Sequence, residues 1–256
     1  MSKRRLLYMS DLLVTLVARD MKLRYKRSIL GVVWTLLNPL AQLVVFAFIF
    51  RLMLPVEVPN YITFLFTGVL AWNWFQASLF QATSTVVENR ELIKQPGFPA
   101  GILPAVTVTS HLVHFVLALP ILFFFLVVGE TGLPTTILAL PLVIAIQFVL
   151  TLSLAYLLAT FHVTFRDTQY LLGVVLQLMF FLTPVFYDAN VIPARYQLLY
   201  RLNPMVHVID AYRAILIAGK APDPLSMVLL GSAAALLVCV GYGVFTNAKY
   251  RFVDEL

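Results

Sequence analysis

The stretch RDMKLRYKRSILGVVWTLLNPLAQLVVFAFIF, from Arg19 to Phe50, joins a cationic segment directly to an uncharged one. Its first nine residues include five basic side chains, and no residue from Ser28 to Phe50 carries a charge. A helix of about twenty apolar residues crosses the hydrocarbon layer of a bilayer. The stretch therefore predicts a helix at a membrane surface that leads into a membrane-spanning helix.

The composition of the whole chain excludes a soluble globular protein. Of its 256 residues, 61% are hydrophobic and 12% are charged, with a mean hydropathy of +0.91. Soluble domains are roughly half apolar and about a quarter charged. The single cysteine, Cys239, excludes an internal disulfide. The N-terminus is not predicted to be a cleavable signal, because Asp11 interrupts its apolar run.

Six uncharged stretches are long enough to cross a bilayer as helices. They lie near residues 31–50, 61–84, 101–128, 135–161, 169–187 and 226–247. We therefore predict an all-α integral membrane protein with six transmembrane helices in a single domain, residues 1–256. With the N-terminus inside, thirteen of the eighteen basic residues lie on the inner side and five on the outer side. This excess predicts that both termini are cytoplasmic.

Residues 5–27, before the first span, have the pattern of an amphipathic helix in the membrane interface. Asp11, Arg19, Lys22 and Lys26 recur at helical spacing on one face, and apolar residues gather on the other. Each cation near anionic head groups contributes roughly 1 kcal/mol to membrane binding. The alternative is that these charges only fix the topology, although topology does not require an amphipathic face.

The inner loop STVVENRELIKQPGFPAG, residues 84–101, predicts a short cytoplasmic helix over about 86–95. Thr85 followed by Glu88 is a capping-box pattern, and Pro96–Gly97 is a stop signal. This helix would expose four charged side chains, those of Glu88, Arg90, Glu91 and Lys94. It is either a docking element for a partner or an ordinary solvated turn, and the length of the loop favours docking.

The outer segment 188–225 predicts two short helices, at 193–202 and 204–218. Pro193 can open the first, and Asn203 followed by Pro204 supplies a cap and a first helical residue for the second. Both helices are too short to span a membrane, so we expect them to re-enter the outer leaflet or lie against it. Asp210 and Arg213 have the i, i+3 spacing of a helical ion pair. A surface hairpin with no role in gating is the alternative.

The spans lack the groups that several classes of membrane protein require. None contains Asp, Glu, Lys or Arg, whereas proton- and ion-coupled carriers need ionisable groups in the membrane. His111 and His114 have no third ligand nearby in sequence, so we predict that they hydrogen bond between helices and hold no metal. No ATP-binding motif is present, because the string IAGKAP lacks the upstream Gly and the hydroxyl residue.

Neutral polar side chains do occur within the spans at helical spacing. They are Asn38 and Gln42 in the first span, Asn73 and Gln76 in the second with Trp72 and Trp74 beside them, and Gln147 and Thr151 in the fourth. An unpaired amide in hydrocarbon costs a few kcal/mol. These residues either hydrogen bond between helices or line a hydrated path, and amides beside aromatic faces are suited to sugar rings.

The order of these features resembles the membrane subunit of an ABC-type polysaccharide exporter, the class that moves O-antigen, capsule or teichoic acid. The resemblance covers nearly the whole chain. It is carried by RYKRSILGVVWTLLNP at residues 24–39, LIKQPGFPAGILP at 92–104, FFLTPVFYDANVIP at 180–193 and LNPMVHVIDAYR at 202–213.

The resemblance implies a role for each group of candidate residues. The inner-loop helix would dock on an ATPase through Glu88, Arg90, Glu91 and Lys94. The short outer helices would form an outer gate containing Asn203, Pro204, Asp210 and Arg213. The translocation path would contain Asn38, Gln42, Trp72, Asn73, Trp74 and Gln76. The phosphate of a lipid-linked substrate would bind to Lys22, Arg24, Lys26 and Arg27.

The resemblance also implies an assembly and a function. Two copies of the chain would enclose the path and bind two ATPase chains in a bacterial cytoplasmic membrane. ATP and Mg²⁺ would bind to the ATPase, and this chain would need no cofactor and would not be an enzyme. The implied function is export of a lipid-linked polysaccharide. Two alternatives remain, a permease of the same architecture for small lipids or drugs and a polytopic membrane enzyme of glycan assembly.

Overall fold

The computed structural model describes residues 3–26, 33–53, 58–129, 132 and 134–255, and this part of the chain is helical without strands. The predicted all-α class is therefore confirmed for the described residues. The α-helices are α1 Lys3–Tyr25, α2 Val33–Ala47, α3 Tyr61–Glu88, α4 Arg90–Ile93, α5 Ile102–Val128, α6 Leu140–Thr164, α7 Thr168–Leu182, α8 Ala194–Arg201, α9 Pro204–Leu216 and α10 Pro224–Glu255. A π-helix, Phe48–Met53, continues α2, and 3₁₀-helices occupy Thr135–Ala139 and Ala189–Val191.

Among the described residues, three helical segments are long and apolar enough to cross a membrane. They are Ile102–Val128, Thr135–Thr164 and Pro224–Lys249, and they coincide with the predicted third, fourth and sixth spans. Shorter apolar helices cover Leu36–Phe50 and Thr168–Leu182, within the predicted first and fifth spans. The predicted second span corresponds to α3, which has 28 residues but a more polar composition than these helices.

Helix α3 lies at the centre of the bundle, in contact with α2, α5, α6, α7 and α9. Twenty of its 28 residues are buried, including the large side chains of Trp72, Phe66 and Leu65. Because other helices surround α3, polar side chains such as those of Asn73, Gln81 and Thr85 meet partners on them. Helix α3 therefore has less need of an apolar surface than helices that face lipid. This position explains why α3 is long enough to span but less apolar than α5, α6 and the Pro224–Lys249 part of α10.

Helix α10 packs along α6 at the edge of the bundle. A glycine allows the close approach, since a Cβ at Gly241 would lie 2.7 Å from the backbone oxygen of Ser153. The hydroxyl of Tyr156 on α6 donates to the backbone oxygen of Gly101 at 2.8 Å, and its ring packs edge-on against Phe245 of α10. The start of α5 is thus fastened to the same corner as the last turns of α6 and α10.

The antiparallel packing defines two ends of the bundle. The α1 end contains α1, the C-terminal turns of α3, and the start of α5. The α9 end contains the start of α3, the last residues of α7, and α9. Each end contains one of the cationic groups predicted from the sequence.

The inner-loop helix differs from the prediction. Helix α3 continues to Glu88, a break falls at Asn89, and only the single turn α4 follows. The predicted capping box is wrong, because Thr85 lies in the last turn of α3 and is 5% exposed. Its hydroxyl accepts a hydrogen bond from the Thr107 hydroxyl of α5 at 3.3 Å. Packing against α5 therefore keeps Thr85 helical where the local pattern predicted a helix start.

The predicted fifth span and the two short helices after it are present, but each helix is shorter than predicted. Helix α7 ends at Leu182, five residues before the predicted end of the fifth span at 187, and Thr183 is extended with φ −103° and ψ 142°. A residue before proline avoids the helical region, and Pro184 follows. The two short helices are found as α8 and α9. Asn203 caps α9 as predicted, and its side chain accepts from the Met205 amide at 3.0 Å.

Candidate functional site

Of the four predicted phosphate-binding residues at the α1 end, two are exposed and one is held by other side chains. Lys22 and Lys26 are exposed to solvent. Arg24 is partly buried, and its Nε donates to Asp20 Oδ2 at 3.0 Å one turn earlier in α1. Its Nη2 donates to Gln81 Oε1 of α3. The fourth predicted phosphate-binding residue, Arg27, lies outside the described residues.

Gln81 joins three helices at this end of the bundle. Its Oε1 accepts from Arg24 of α1 and lies 2.8 Å from Nε2 of His111 on α5. One turn along α5, Nδ1 of His114 lies 3.2 Å from the hydroxyl of Tyr25 in the last turn of α1. The prediction that the two histidines hydrogen bond between helices is confirmed. Among the described residues, no group of three His, Cys, Asp or Glu side chains is placed to hold a metal ion.

A polar cavity of about 190 Å³ lies between α2, α3 and α5. Its walls include Trp34, Asn38, Asn73, Trp74, His111 and His114. The indole N–H of Trp74 is buried without a hydrogen-bond partner among the described residues. The cavity therefore combines neutral amides with aromatic faces, and it brings together three of the predicted path residues, Asn38, Asn73 and Trp74.

The other predicted path residues hydrogen bond to one another or to neighbouring helices. Asn73 Nδ2 donates to Gln42 Oε1 at 3.0 Å, which links α3 to α2. Trp72 is 1% exposed, and its indole N–H donates to Gln76 Oε1 at 2.7 Å. On α6, Gln147 donates to the Ala71 backbone oxygen at 2.8 Å and accepts from the Tyr212 hydroxyl at 2.9 Å. The amides of Gln42, Asn73 and Gln147 thus join helices, the bond of Gln76 lies within α3, and Asn38 is the exposed amide of the set.

The inner loop places its charged side chains in solvent, as predicted. Glu88, Arg90, Glu91 and Lys94 are all exposed. Arg90 Nε lies 3.4 Å from Glu91 Oε1, and the two side chains are 52% and 84% exposed. An ion pair this exposed contributes at most about 1 kcal/mol to stability. The four charges remain available to a partner that docks on this surface.

The α9 end contains a buried cation, Arg213, that binds the backbone of other helices. Arg213 is 8% exposed. Its Nη1 donates to the Pro184 oxygen at 2.6 Å, and its Nη2 donates to the Val185 oxygen at 2.9 Å and the Phe64 oxygen at 3.3 Å. Its guanidinium carbon also lies 3.3 Å from the centre of the Phe64 ring. These contacts connect α9 to the chain after α7 and to the start of α3.

The predicted ion pair between Asp210 and Arg213 is wrong. Asp210 is exposed, Arg213 is buried, and the described contacts of the guanidinium are to carbonyl oxygens and an aromatic ring. The i, i+3 spacing brings two side chains to neighbouring positions on a helix, but the direction of each depends on tertiary packing. Here Arg213 turns towards α3 and α7, while Asp210 lines a cavity beside α8 with Tyr200 and His207.

Two residues that sequence reasoning missed complete these sites. Gly68 on α3 lies beside Arg213, and a Cβ at this position would come within 2.6 Å of the Val185 oxygen and 3.0 Å of Arg213 Nη2. Gln81 is the polar junction of the α1 end. The polarity of Gln81 within a span was a usable signal. Nothing in the local pattern distinguishes Gly68 from other glycines.

Comparison with known proteins defines the class of the molecule. The sequence profile of the ABC-2 type transporter family matches residues 11–217, which contain both cationic groups, the cavity and the inner loop. The chain belongs to this family. The ABC-2 assignment makes it a membrane component of a transporter, in agreement with its apolar helices.

Several curated proteins are similar to this ABC-2 chain along nearly their whole length. The O-antigen export system permease protein RfbA of Myxococcus xanthus is 35% identical over 99% of this chain and 98% of its own length. A protein of the same name from Klebsiella pneumoniae is 32% identical over 97% of this chain and 96% of its own. The polysialic acid transport protein KpsM of Escherichia coli is 21% identical over 91% and 92%.

Proposed function

We propose that this chain is the transmembrane subunit of an ATP-driven exporter that carries a lipid-linked polysaccharide out of the cytoplasm. The observation that carries the proposal is the full-length similarity to two O-antigen export permeases at 35% and 32% identity. A fold alone does not determine a substrate. The polar cavity with two tryptophans and two asparagines supports a sugar cargo, because its walls offer both ring faces and hydrogen-bonding groups.

The proposed assembly contains two copies of this chain and two copies of a separate ATPase, which binds ATP and Mg²⁺. In this proposal the chain spans the bacterial inner membrane six times, with the α1 end and the inner loop in the cytoplasm and α8 and α9 in or against the outer leaflet. The excess of basic residues around the α1 end supports this orientation. Glu88, Arg90, Glu91 and Lys94 then face the cytoplasm, where the ATPase docks.

The cations of α1 divide between two roles in this proposal. Lys22 and Lys26, together with Arg27, bind the phosphate or pyrophosphate that links the glycan to its lipid. The exposure of both lysines supports this role, since a bound phosphate has to replace water. Arg24 positions α1 against the bundle, because its donors are directed to Asp20 and Gln81.

The translocation path runs past Asn38, Gln42, Trp72, Asn73, Trp74 and Gln76, with the cavity between α2, α3 and α5 as its polar wall. The outer gate contains Asn203, Pro204, Asp210 and Arg213. The position of the two short helices beside the ends of α3 and α7 supports the gate. A path at the interface of two copies is bounded by α2 and α7, whose exposed apolar faces the protomer does not cover, with Val44, Val174 and Phe181 all at least half exposed.

The proposal is tested by deleting the chain in its host and by co-purifying a tagged copy with the ABC-type ATPase of the same cells. We expect loss of surface polysaccharide with accumulation inside the cell, and a complex with equal numbers of the two chains. Replacing Glu88, Arg90 and Glu91 together by glutamine or alanine should release the ATPase and leave the chain folded. The matched control replaces Arg195, Arg201 and Lys220, which lie at the opposite end, and should leave the complex intact.

Two outcomes would contradict the proposal. One is normal surface polysaccharide in the deletion strain. The other is a chain that purifies without ATPase from cells that express it, which removes the energy source from the mechanism.

A further inference from the structure

The chain directly after α7 is non-helical and buried, so its backbone groups need hydrogen-bond partners from the protein. Helix α7 ends at Leu182, and Thr183, Pro184 and Val185 are buried. We call residues 183–187 the α7 break. A helix end leaves carbonyl groups without intrahelical partners, and water does not satisfy them in a buried position. The α7 break therefore depends on donors from other helices.

Three residues of two helices, α3 and α9, supply these donors. Arg213 of α9 donates to the oxygens of Pro184 at 2.6 Å and Val185 at 2.9 Å. The Tyr61 hydroxyl at the start of α3 donates to the Phe186 oxygen at 2.9 Å. Asn203, the cap of α9, donates through Nδ2 to the Thr183 hydroxyl at 2.8 Å. Three successive carbonyls and one side chain of the α7 break are thus bound by α3 and α9.

The α7 break also contacts α2 through one aromatic side chain. The Phe186 ring stacks on Phe46 with centroids 5.8 Å apart and an angle of 2° between the ring planes. It stacks on Phe50 of the π-helix at 5.2 Å and 22°. The α7 break is therefore the point where α2, α3, α7 and α9 meet, and Arg213 is its charged centre.

The geometry specifies arginine at this position. Its two terminal nitrogens serve three oxygens on two chain segments, and the planar guanidinium lies over the Phe64 ring at 3.3 Å. A lysine has one nitrogen and lacks the planar fork that spans separate acceptors. The cation also lies at the C-terminal end of α7, where the helix dipole favours positive charge. Gly68 leaves the room in which Arg213 and the Val185 oxygen meet.

We infer that Arg213 is a positioning residue for export, because it fastens the α7 break to α9 and α3 and so holds the outer ends of α2 and α7 in register with the gate. This inference rests on the proposed function for its meaning in transport. Its structural part is independent, since it states that α9 and the α7 break move together while Arg213 is present.

Thiol labelling tests the structural part directly in the assembled, detergent-purified complex. Cys239 is exposed and is first changed to Ser, and Val185, which is fully buried, is changed to Cys as the probe. With Arg213 present, we expect Val185→Cys to react with a water-soluble maleimide slowly. With Arg213→Gln, the rate should rise by on the order of tenfold or more, because the carbonyls of the α7 break lose their charged donor.

Two further variants keep the test decisive if Arg213→Gln fails to fold. Arg213→Lys should give an intermediate labelling rate, because it restores the charge without the fork. Tyr61→Phe removes one donor to the α7 break and should raise labelling by a smaller factor. Arg201→Gln, an exposed cation of the same outer segment, is the matched control and should leave the rate unchanged. Equal protection of the probe in all variants would overturn the inference.

A second readout separates positioning from a merely structural role. In a complex that still assembles, Arg213→Gln should keep ATP hydrolysis and lose most export. The number of ATP molecules hydrolysed for each exported polysaccharide molecule should therefore rise. Arg213→Lys should restore export in part. A parallel loss of assembly, hydrolysis and export would refute the positioning role. Absence of export by the unaltered chain would instead refute the proposed function, while the labelling result would still test the attachment of the α7 break to α9 and α3.

Discussion

The two ends of the bundle use arginine in opposite surroundings. At the α9 end, Arg213 is 8% exposed and gives its donors to backbone oxygens of α3 and the α7 break. At the α1 end, the Arg24 side chain is 27% exposed and pairs with Asp20 on its own helix and Gln81 on α3. Lys22 and Lys26 beside it remain exposed.

The degree of burial decides whether a cation stabilises the fold or remains available to bind a ligand. A buried cation whose terminal nitrogens donate to protein acceptors is costly to remove, because the acceptors are left unpaired. An exposed cation contributes little to stability and keeps its charge for an anion that arrives from outside. We call the α9 end a fixed junction, because its cation is buried among protein acceptors. The α1 end also joins helices, but exposed lysines lie beside the contact. The following predictions test that contrast.

The largest effect on stability is expected from filling the space at Gly68. Gly68→Ala places a methyl group 2.6 Å from the Val185 oxygen and 3.0 Å from Arg213, so the α7 break or the guanidinium has to move. We expect a destabilisation of roughly 1–3 kcal/mol, measured as a lower thermal midpoint in detergent by size-exclusion chromatography after heating. Gly173→Ala on α7 is the control, since its Cβ would meet Phe80 at an ordinary 3.6 Å. Equal midpoints for the two variants would show that the α9 end is not a fixed junction.

A smaller effect is expected at the α1 end. Arg24→Gln removes the donors to Asp20 and Gln81 that attach α1 to α3, and we expect a cost of about 1–2 kcal/mol because the group is only partly buried. The change should be local, with faster amide hydrogen exchange in α1 and unchanged exchange in α9. Lys22→Gln on the same helix is the control. Unaltered exchange in α1 would contradict an anchoring role for Arg24.

The smallest effect on stability is expected from the exposed lysines. Lys22→Gln with Lys26→Gln should change the thermal midpoint by less than the equivalent of about 0.5 kcal/mol. Export of surface polysaccharide should nevertheless fall, because the proposed anionic head of the lipid carrier loses two of its three cations. Quantitative staining of surface glycan, with membrane levels of the protein matched, measures the change. Normal export in this double variant would remove the phosphate-binding role from both residues.

Sequence reasoning succeeded where local signals determine the structure. Pro193 and the pair Asn203–Pro204 fix where α8 and α9 begin, and the observed caps agree. The long apolar stretches correctly predicted α5, α6 and α10, because a continuous run of hydrophobic residues has few other structures available.

It failed where packing between distant segments decides. Thr85 matched a helix start, but Thr107 of α5 covers it and α3 continues through it. Arg213 matched an ion pair with Asp210, but carbonyls 28 and 149 residues away in sequence bind it instead. The sequence correctly placed the polar residues of the predicted spans within helices. Their division into the cavity wall and the bonds between helices depends on which helices touch, and a single sequence does not contain that information.

Inverted membrane vesicles that contain the chain and its ATPase offer the sharpest test of ATP-driven polysaccharide export. The cytoplasmic face of these vesicles is outside, so added ATP should drive the polymer into the lumen, where an added glycosidase cannot cleave it. We predict that the protected fraction of polymer rises with ATP and does not rise with a non-hydrolysable analogue or in vesicles without this chain. A polymer that stays equally accessible to the glycosidase with and without ATP would contradict the account.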